Sequence, residues 1–438
     1  MKKPFIAIAL VAIVALGIFY TVTLFLKDEN ELPKETVDQI AYYTQIGTEQ
    51  RELGAYGKAC ECFENVLALD ASLENYHTLA DVYLEAERYS KYTELLRTVI
   101  GIYPKDTAAY EKLCKYYFEK ESYSACKEIG QSAFDNNVRT DVIEDCYYKS
   151  AFMHDIYVGE FENAYRYYNG FSVVKSENGY SFLNANLRIE MGPYKSATSF
   201  TDTLAAVLGD EGKYYYIDLE GEKYLATAGD YEIAYSFSEG YAIVKTKEGK
   251  YRYLTTDCRL GGSEFEYATL YKNGVSAVKS DGKWYIINQA GAVIEGTGAY
   301  YDVKYDEDNI CSNCGIIFVS DGEGKGYYPI NLKGQRIGGD TYDDAKPFFT
   351  DNYTCVMKNE KWGFIDLNGN LVIEYQYQDA QPFGYGAAAV KTGNKWGFIA
   401  PNNRMVIEPE FEGAKCFTAD KLCPVKSDGK WSYLKLLA

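Results

Sequence analysis

The stretch that decides the fold runs from residue 355 to residue 373 and reads Cys355-Val-Met-Lys-Asn-Glu-Lys-Trp362-Gly-Phe-Ile-Asp-Leu-Asn-Gly369-Asn-Leu-Val-Ile373. Runs of β-forming residues alternate here with turn residues, which is typical of short antiparallel strands. The same pattern returns at residues 277–288, 389–400 and 424–434. Because it returns in register, the pattern indicates an internal repeat rather than a chance match.

One aromatic position can be followed through eight successive copies of this unit. The intervals between copies are 34, 37, 33, 43, 35, 34 and 35 residues, and the longest interval contains an insertion at residues 305–314. We predict that these aromatic side chains form the repeat cores, because a ring at one fixed position suits core packing better than a ligand surface. They are Tyr180, Tyr214, Tyr251, Trp284, Tyr327, Trp362, Trp396 and Trp431.

Each unit is predicted to begin with a β-hairpin. Asp281-Gly282, Asp428-Gly429 and Glu248-Gly249 lie between two β-runs, and such pairs supply the positive φ that tight hairpins require. A third strand and a short extended piece ending in an aromatic residue follow, as in 380–383. A lone hairpin is not stable in water, so the units must stack on one another. This pattern fits a propeller-like ring or an open β stack, and it does not decide between them.

The motif Lys361-Trp362-Gly363-Phe364-Ile365-Asp366, repeated in part at 395–399, resembles the core motif of the WG-repeat family. The resemblance covers residues 160–438, with about eight copies of which the last is truncated. It implies an all-β repeat domain. Four copies have Tyr in place of Trp, and most copies lack the Gly that follows.

Residues 36–158 have helical periodicity instead. Tyr76, Leu79, Ala80 and Tyr83 recur as Tyr110, Leu113, Cys114 and Tyr117, a step of 34 residues. This spacing resembles the tetratricopeptide pattern, of which Gly47 and Pro104 keep single elements. The resemblance implies helical hairpins with a concave surface for a protein or peptide. A spacer between the membrane and the β domain is an equal alternative.

The first 27 residues are predicted to be a transmembrane signal anchor, followed by a linker at 28–35. Residues 4–26 carry no charge, and a helix of this length spans the hydrocarbon core of a membrane. Lys2 and Lys3 precede the span, which favours a cytoplasmic N-terminus and an extracytoplasmic remainder at the cell membrane. A cleaved signal peptide is the alternative, although bulky residues occupy the place of a cleavage site.

Composition excludes several functions. A net charge of −18 repels phosphate backbones, so we expect no nucleic-acid partner. Only two histidines, His77 and His154, are present, and this removes most histidine-dependent catalysis. The pair Cys311 and Cys314 is expected to be a loop turn or a local disulfide, because zinc sites usually need a second pair. Asp366 opens a stretch that fits a hairpin turn better than a calcium loop.

These patterns predict a non-catalytic scaffold or adaptor that binds a protein or peptide at the cell surface. A module that binds cell-wall polysaccharide is the alternative, because Tyr and Trp faces can stack on sugar rings. No catalytic, cofactor-binding or metal-binding residues are predicted. An enzyme would need a cluster outside the repeats, and the sole candidate is the insertion with Asp306, Asp308, Cys311 and Cys314.

Overall fold

The computed structural model describes residues 32–225 and 231–437. The chain divides into two compact units, 1–150 and 151–438. The predicted membrane span at residues 4–26 lies outside the described residues. Within the described ranges, no helix has both the length and the apolar character needed to cross a membrane.

The first unit is helical and contains seven helices in its described part. Their bounds are α1 Lys34–Glu52, α2 Tyr56–Leu69, α3 Leu73–Glu85, α4 Tyr89–Ile102, α5 Thr107–Glu119, α6 Tyr123–Asp135 and α7 Asp141–Ala151. Side chains cap three of these N-termini. Asp106 accepts from the N–H of Ala109 at 3.0 Å, and Ser72 from that of Asn75 at 3.5 Å. Thr140 accepts from the N–H of Ile143 at 3.3 Å.

Small residues let the helices of this unit approach one another closely. A Cβ added at Gly47 would lie 2.9 Å from the ring of Phe63, and one at Gly130 would lie 2.8 Å from Tyr147. Ala80 and Cys114 are fully buried at comparable places. The helical periodicity therefore predicted both the helices and the small residues between them.

The second unit is a ring of eight β blades, in which 29 strands are described. Four-stranded sheets form five of the blades. Blade 1 contains β2 (Asn163–Ala164), β3 (Phe171–Ser176), β4 (Gly179–Asn184) and β5 (Ile189–Tyr194). Blade 2 contains β6 (Ser196–Ala197), β7 (Ala205–Leu208), β8 (Tyr214–Ile217) and β9 (Lys223–Leu225). Blade 6 contains β19 (Asp344–Ala345), β20 (Tyr353–Lys358), β21 (Lys361–Asp366) and β22 (Leu371–Tyr377). Blade 7 contains β23 (Asp379–Ala380), β24 (Ala388–Thr392), β25 (Lys395–Ile399) and β26 (Met405–Phe411).

The three central blades have three regular strands each, and isolated bridges stand in for the fourth. Blade 3 contains β10 (Ile233–Ala234), β11 (Tyr241–Lys245) and β12 (Tyr251–Thr255). Blade 4 contains β13 (Tyr267–Ala268), β14 (Val275–Ser280) and β15 (Lys283–Asn288). Blade 5 contains β16 (Asp302–Val303), β17 (Ile316–Ser320) and β18 (Tyr328–Asn331).

Blade 8 closes the ring by joining the two ends of the unit. It contains β27 (Gly413–Ala414), β28 (Leu422–Ser427), β29 (Lys430–Leu436) and, as outer strand, β1 (His154–Phe161). β1 pairs with β29 in antiparallel register from His154–Leu436 to Phe161–Trp431. Blades 8 and 1 are further joined by a 2.6 Å hydrogen bond between Ser172 and Tyr433. The array is therefore a ring, the alternative that the sequence left open. β1 also begins inside the range 36–158 assigned to helices, because its partner strand is remote in sequence.

Turn chemistry follows the sequence closely. Both residues of the Asp281-Gly282 and Asp428-Gly429 turns have positive φ, between +50° and +75°, as a type I′ hairpin demands. Asp366 accepts from the backbone N–H groups of Asn368 and Asn370 at 2.9 and 2.8 Å. Its carboxylate therefore holds its own loop, as the hairpin interpretation predicted.

The glycine of the Trp-Gly motif has a steric role. In blade 6, Trp362 pairs with Tyr377 and Phe364 with Ile373, so the outer strand bulges opposite Gly363. A Cβ at Gly363 would lie 2.6 Å from the carbonyl oxygen of Ile373. Gly397 in blade 7 faces the carbonyl oxygen of Ile407 at the same 2.6 Å. The glycine of the motif thus allows the bulged outer strand to pack closely against the third strand.

Blades without this glycine accommodate the close approach of the third and outer strands in other ways. In blade 1 the glycine has moved to the outer strand, where a Cβ on Gly192 would meet Ser181 Oγ at 2.8 Å. In blade 8 it is Gly159 on β1 that bulges over Trp431. Blades 3, 4 and 5 have Arg252, Tyr285 and Tyr328, in that order, at the glycine position. In these blades the outer strand is reduced to isolated bridges, whereas blade 2, with Tyr215 at the same position, keeps the short outer strand β9.

We expect Gly363→Ala to lower the free energy of unfolding by about 1–3 kcal/mol, the usual cost of overpacking. The added methyl group would push the backbone of β22 outward. Urea unfolding followed by tryptophan fluorescence measures the effect. Gly262→Ala is the matched control, because no atom lies within 4 Å of its Cβ position. Equal effects of the two substitutions would contradict the steric role.

Candidate functional site

The inner ends of the blades carry a recurring lysine. In blades 5, 6 and 8, Lys304, Lys346 and Lys415 directly follow the first strand. Each ammonium group lies over the aromatic residue that marks its own repeat, at 4.1 Å from the Tyr327 ring, 4.9 Å from Trp362 and 5.4 Å from Trp431, in that order. A cation at this distance from a ring is held by the negative ring face. The sequence contained this position in the segments 345–348 and 414–417, but it gave no reason to assign it a role.

Two of these lysines also connect neighbouring blades. Lys304 pairs with Asp344 of blade 6 at 2.7 Å, and Lys346 pairs with Asp379 of blade 7 at 2.9 Å. Each aspartate also accepts from the backbone N–H of the alanine that follows it, at 2.8 Å in both cases. A lysine, a ring and the carboxylate of the next blade thus form one repeated arrangement, which we call the inter-blade bridge.

The insertion at residues 305–314 extends from blade 5 towards blades 1 and 8. Asp306 accepts from Arg166 of blade 1 at 2.8 Å, and Glu307 pairs with the same guanidinium at 3.1 Å. Asp308 also pairs with Arg166, and it accepts from the hydroxyl of Tyr168 at 2.7 Å. We call this group the axial ion cluster. Its acidic residues belong to the insertion that the sequence offered as the sole candidate for a functional cluster outside the repeats. The basic partner Arg166 could not be predicted, because 140 residues separate it from Asp306.

The insertion is held in place along its whole length. Glu307 receives a second ion pair from Lys415 of blade 8, at 2.5 Å. On the other side Ile310 pairs with Leu270, and the Asn309 amide donates to the carbonyl of Ala268 at 3.0 Å. The insertion is therefore an integral part of the ring interior.

Burial and charge act together on the axial ion cluster. Arg166 is 4% exposed. Burial alone would lower the pKa of Arg166, but the surrounding acidic groups, including Asp308, raise it well above its ordinary value. Burial raises the pKa of Asp306, with Asp308 adding to the effect and Arg166 opposing it.

The cysteines of the insertion are thiols. All eleven cysteines lie in the described part of the chain and are free, so Cys311 and Cys314 form no local disulfide. Burial raises the pKa of Cys311 to about 11, which disfavours a reactive thiolate. Within residues 32–225 and 231–437, no group of acidic, histidine and cysteine side chains is arranged to hold a metal ion.

The repeat aromatics predicted from the sequence occupy one equivalent place in each of the eight blades. Five of them are buried, and Tyr180, Tyr327 and Trp431 are half-buried. The two histidines lie elsewhere. His77 contacts Asp106 in the helical unit at 2.8 Å, and His154 contacts the carbonyl of Phe152 in the β unit, also at 2.8 Å.

A cavity of about 510 Å³ opens beside the axial ion cluster. Blades 5 to 8, the insertion and Arg166 line it. Its lining combines the three lysines and Gln381 with the acidic residues Asp306, Glu307 and Asp344 and with Trp396 and Trp431. A concave site with a few converging polar groups is the usual form of a ligand pocket. We call this cavity the mouth pocket.

We expect Arg166→Leu to lower the free energy of unfolding by about 3–5 kcal/mol, because it leaves three acidic side chains without their buried cation. Arg188→Leu serves as the control, since Arg188 is exposed. Urea unfolding at neutral pH measures both variants. A small effect at Arg166 would show that the axial ion cluster does not stabilise the ring.

The raised pKa of Asp306 sets the sign of a pH effect. The folded protein keeps this proton at a pH where the unfolded chain has lost it, so stability falls as pH rises through that interval. Asp306→Asn removes the titration. The stability of the variant relative to the unmodified protein is therefore expected to increase as pH rises from about 4 towards 7. Urea unfolding across this range measures the difference, with Asp428→Asn on an exposed hairpin as control. A pH-independent difference would contradict the assignment.

Several solved structures match part of this chain at low sequence identity. The computationally designed Ika8 protein and BamB from Moraxella catarrhalis are each 10% identical, with a TM-score of 0.43, and each match covers 64% of this chain and 98% of the other. PorZ, a surface component of the type-IX secretion system of Porphyromonas gingivalis, is 8% identical with a TM-score of 0.35, covering 64% of this chain and 37% of PorZ. The search of curated proteins gave no match.

The family model of the WG containing repeat matches five segments of the β unit, at residues 216–251, 263–284, 341–362, 362–396 and 396–431. The matched segments begin or end at the repeat aromatics Tyr251, Trp284, Trp362, Trp396 and Trp431. They include both Trp-Gly pairs that face a bulged outer strand. The β unit of this protein is therefore an eight-bladed propeller-like ring, and five of its segments match the WG containing repeat.

Proposed function

We propose that this protein is a non-catalytic scaffold or adaptor, tethered to the cell membrane, and that its ring binds a segment of a partner protein at the mouth pocket. The observation that carries the proposal is the convergence of repeated polar groups on one cavity. The lysines of three blades and the amide of Gln381 point to a site for a polar ligand. Propeller-like rings present their variable groups in this way, because each blade contributes the same position.

The burial of the repeat aromatics favours a protein ligand over a glycan. Sugar rings need an exposed aromatic face to stack on, whereas Trp284, Trp362 and Trp396 are between 5% and 7% exposed. The lysine ammonium groups also occupy ring faces in three blades. One observation favours the alternative, a module for cell-wall polysaccharide: Tyr305 lines the mouth pocket and is 40% exposed.

The helical unit and the N-terminal segment complete the proposal. We infer that the helices form hairpins of the tetratricopeptide type, supported by the 34-residue step and the small residues between helices. Such hairpins offer a second protein-binding surface or a spacer. Residues 4–26 supply the membrane anchor, and the remainder of the chain lies outside the cytoplasm.

The test is affinity capture from the detergent-solubilised cell envelope, with the full chain as bait and with retained proteins and sugars both identified. Gln381→Trp fills the mouth pocket and is expected to abolish retention of the specific partner. Gln376→Trp is the matched control, because Gln376 is exposed on the outer strand of blade 6.

Equal retention by both variants would remove the mouth pocket as the binding site. Retention of wall polysaccharide alone, lost with Gln381→Trp, would replace the scaffold with the glycan module.

A further inference from the structure

The inter-blade bridge joins blade 5 to blade 6 and blade 6 to blade 7, and it does not continue from blade 7 to blade 8. Gln381 stands at the position of Lys304 and Lys346, so no ammonium group occupies that place over Trp396. At the next position, Gly413 stands where Asp344 and Asp379 stand in blades 6 and 7. This junction therefore lacks both halves of the bridge, the cation and the carboxylate.

The missing carboxylate has a defined task elsewhere in the ring. In blades 6 and 7 its oxygen accepts from the N–H of the next alanine, and in blade 1 the amide oxygen of Asn163 does the same for Ala164 at 2.9 Å. Ala414 has the same register, since it pairs with Val425 as Ala345 pairs with Val356. Gly413 brings no side chain that could accept from Ala414.

The interrupted junction forms part of the wall of the mouth pocket. Gln381, Gly413 and Ala414 all line this cavity, together with Lys346 and Lys415. The two ammonium groups are paired with Asp379 and Glu307. The chain as a whole carries a net charge of −18, so most of its surface repels acidic ligands.

We propose that the junction of blades 7 and 8 binds a carboxylate of a partner protein, an aspartate or glutamate side chain of an acidic segment. The ligand carboxylate takes the position that Asp344 and Asp379 occupy in the preceding blades. It accepts from the Ala414 N–H and the Gln381 amide. The inference rests on the proposed function, because it names the chemistry of the ligand at the mouth pocket.

Two variants of the full chain test the position directly. Gly413→Asp places a carboxylate of the protein itself at the proposed ligand position. A Cβ fits there with adjustments of a few tenths of an ångström, since its closest neighbours are 3.3 Å away. Gln381→Lys supplies the cation of the other bridges and leaves the carboxylate position empty. Gly262→Asp is the matched control, because it adds the same charge at an exposed glycine of open surroundings.

The probe is a fluorescein-labelled hexaglutamate peptide, with labelled hexaglutamine for comparison, measured by fluorescence anisotropy at low ionic strength. We expect hexaglutamate to bind at least about tenfold more tightly than hexaglutamine, the effect of a charge-assisted hydrogen bond. Gly413→Asp is expected to weaken the binding of hexaglutamate by about tenfold or more. Gln381→Lys is expected to strengthen the binding of hexaglutamate several-fold. Gly262→Asp is expected to bind as the unmodified protein does.

Equal binding of the two peptides, or equal loss in Gly413→Asp and Gly262→Asp, would overturn the carboxylate site. Binding of oligogalacturonate but not of hexaglutamate would overturn the choice of a protein ligand. Thermal unfolding midpoints establish that each variant is folded. The envelope capture with Gln381→Trp remains a separate readout, so the scaffold stands if that substitution abolishes capture while hexaglutamate fails to bind.

Discussion

The pairing of β1 with β29 is the interaction on which the ring depends. Every other blade is made from one continuous piece of chain, whereas blade 8 takes its outer strand from the beginning of the unit and its other three strands from the end. Without this pairing, β29 would present an unpaired edge, and blades 8 and 1 would lose the alignment that brings Tyr433 to Ser172. Closure also sets the geometry of the interior, because Arg166 and Lys415 come from the two blades that meet there.

A second constraint, the close crossing of the third and outer strands, explains how diverged repeats keep one architecture. In four blades the crossing has a place without a side chain, provided by Gly363 or Gly397 on the third strand and by Gly192 or Gly159 on the outer strand. A comparison of the repeat sequences detects only the first pair, so blades 1 and 8 look more degenerate than they are. Their backbone solves the same steric problem from the opposite side.

The local parts of this fold could be predicted from the sequence. Hairpin turns such as Asp281-Gly282 depend on neighbouring residues, and the repeat interval follows from one aromatic position. Ring closure could not be predicted, because the partners of β1 lie at the far end of the chain. For the same reason, the sequence could not predict that Arg166 pairs with the acidic insertion. The gap at Gln381 and Gly413 becomes visible only when a lysine in one blade is known to reach an aspartate in the next.

The arrangement of blade 8 also has a consequence for biosynthesis. β1 leaves the ribosome near the start of the unit and has no partner until β29 has been made, so the nascent ring carries an open strand edge throughout elongation. Contacts of such long sequence separation form slowly, and open edges favour association between chains. Protection of β1 before synthesis is complete therefore becomes a requirement of the folding pathway, met by chaperones or by temporary pairing within the chain. A cell that produces this protein must supply that protection for as long as translation lasts.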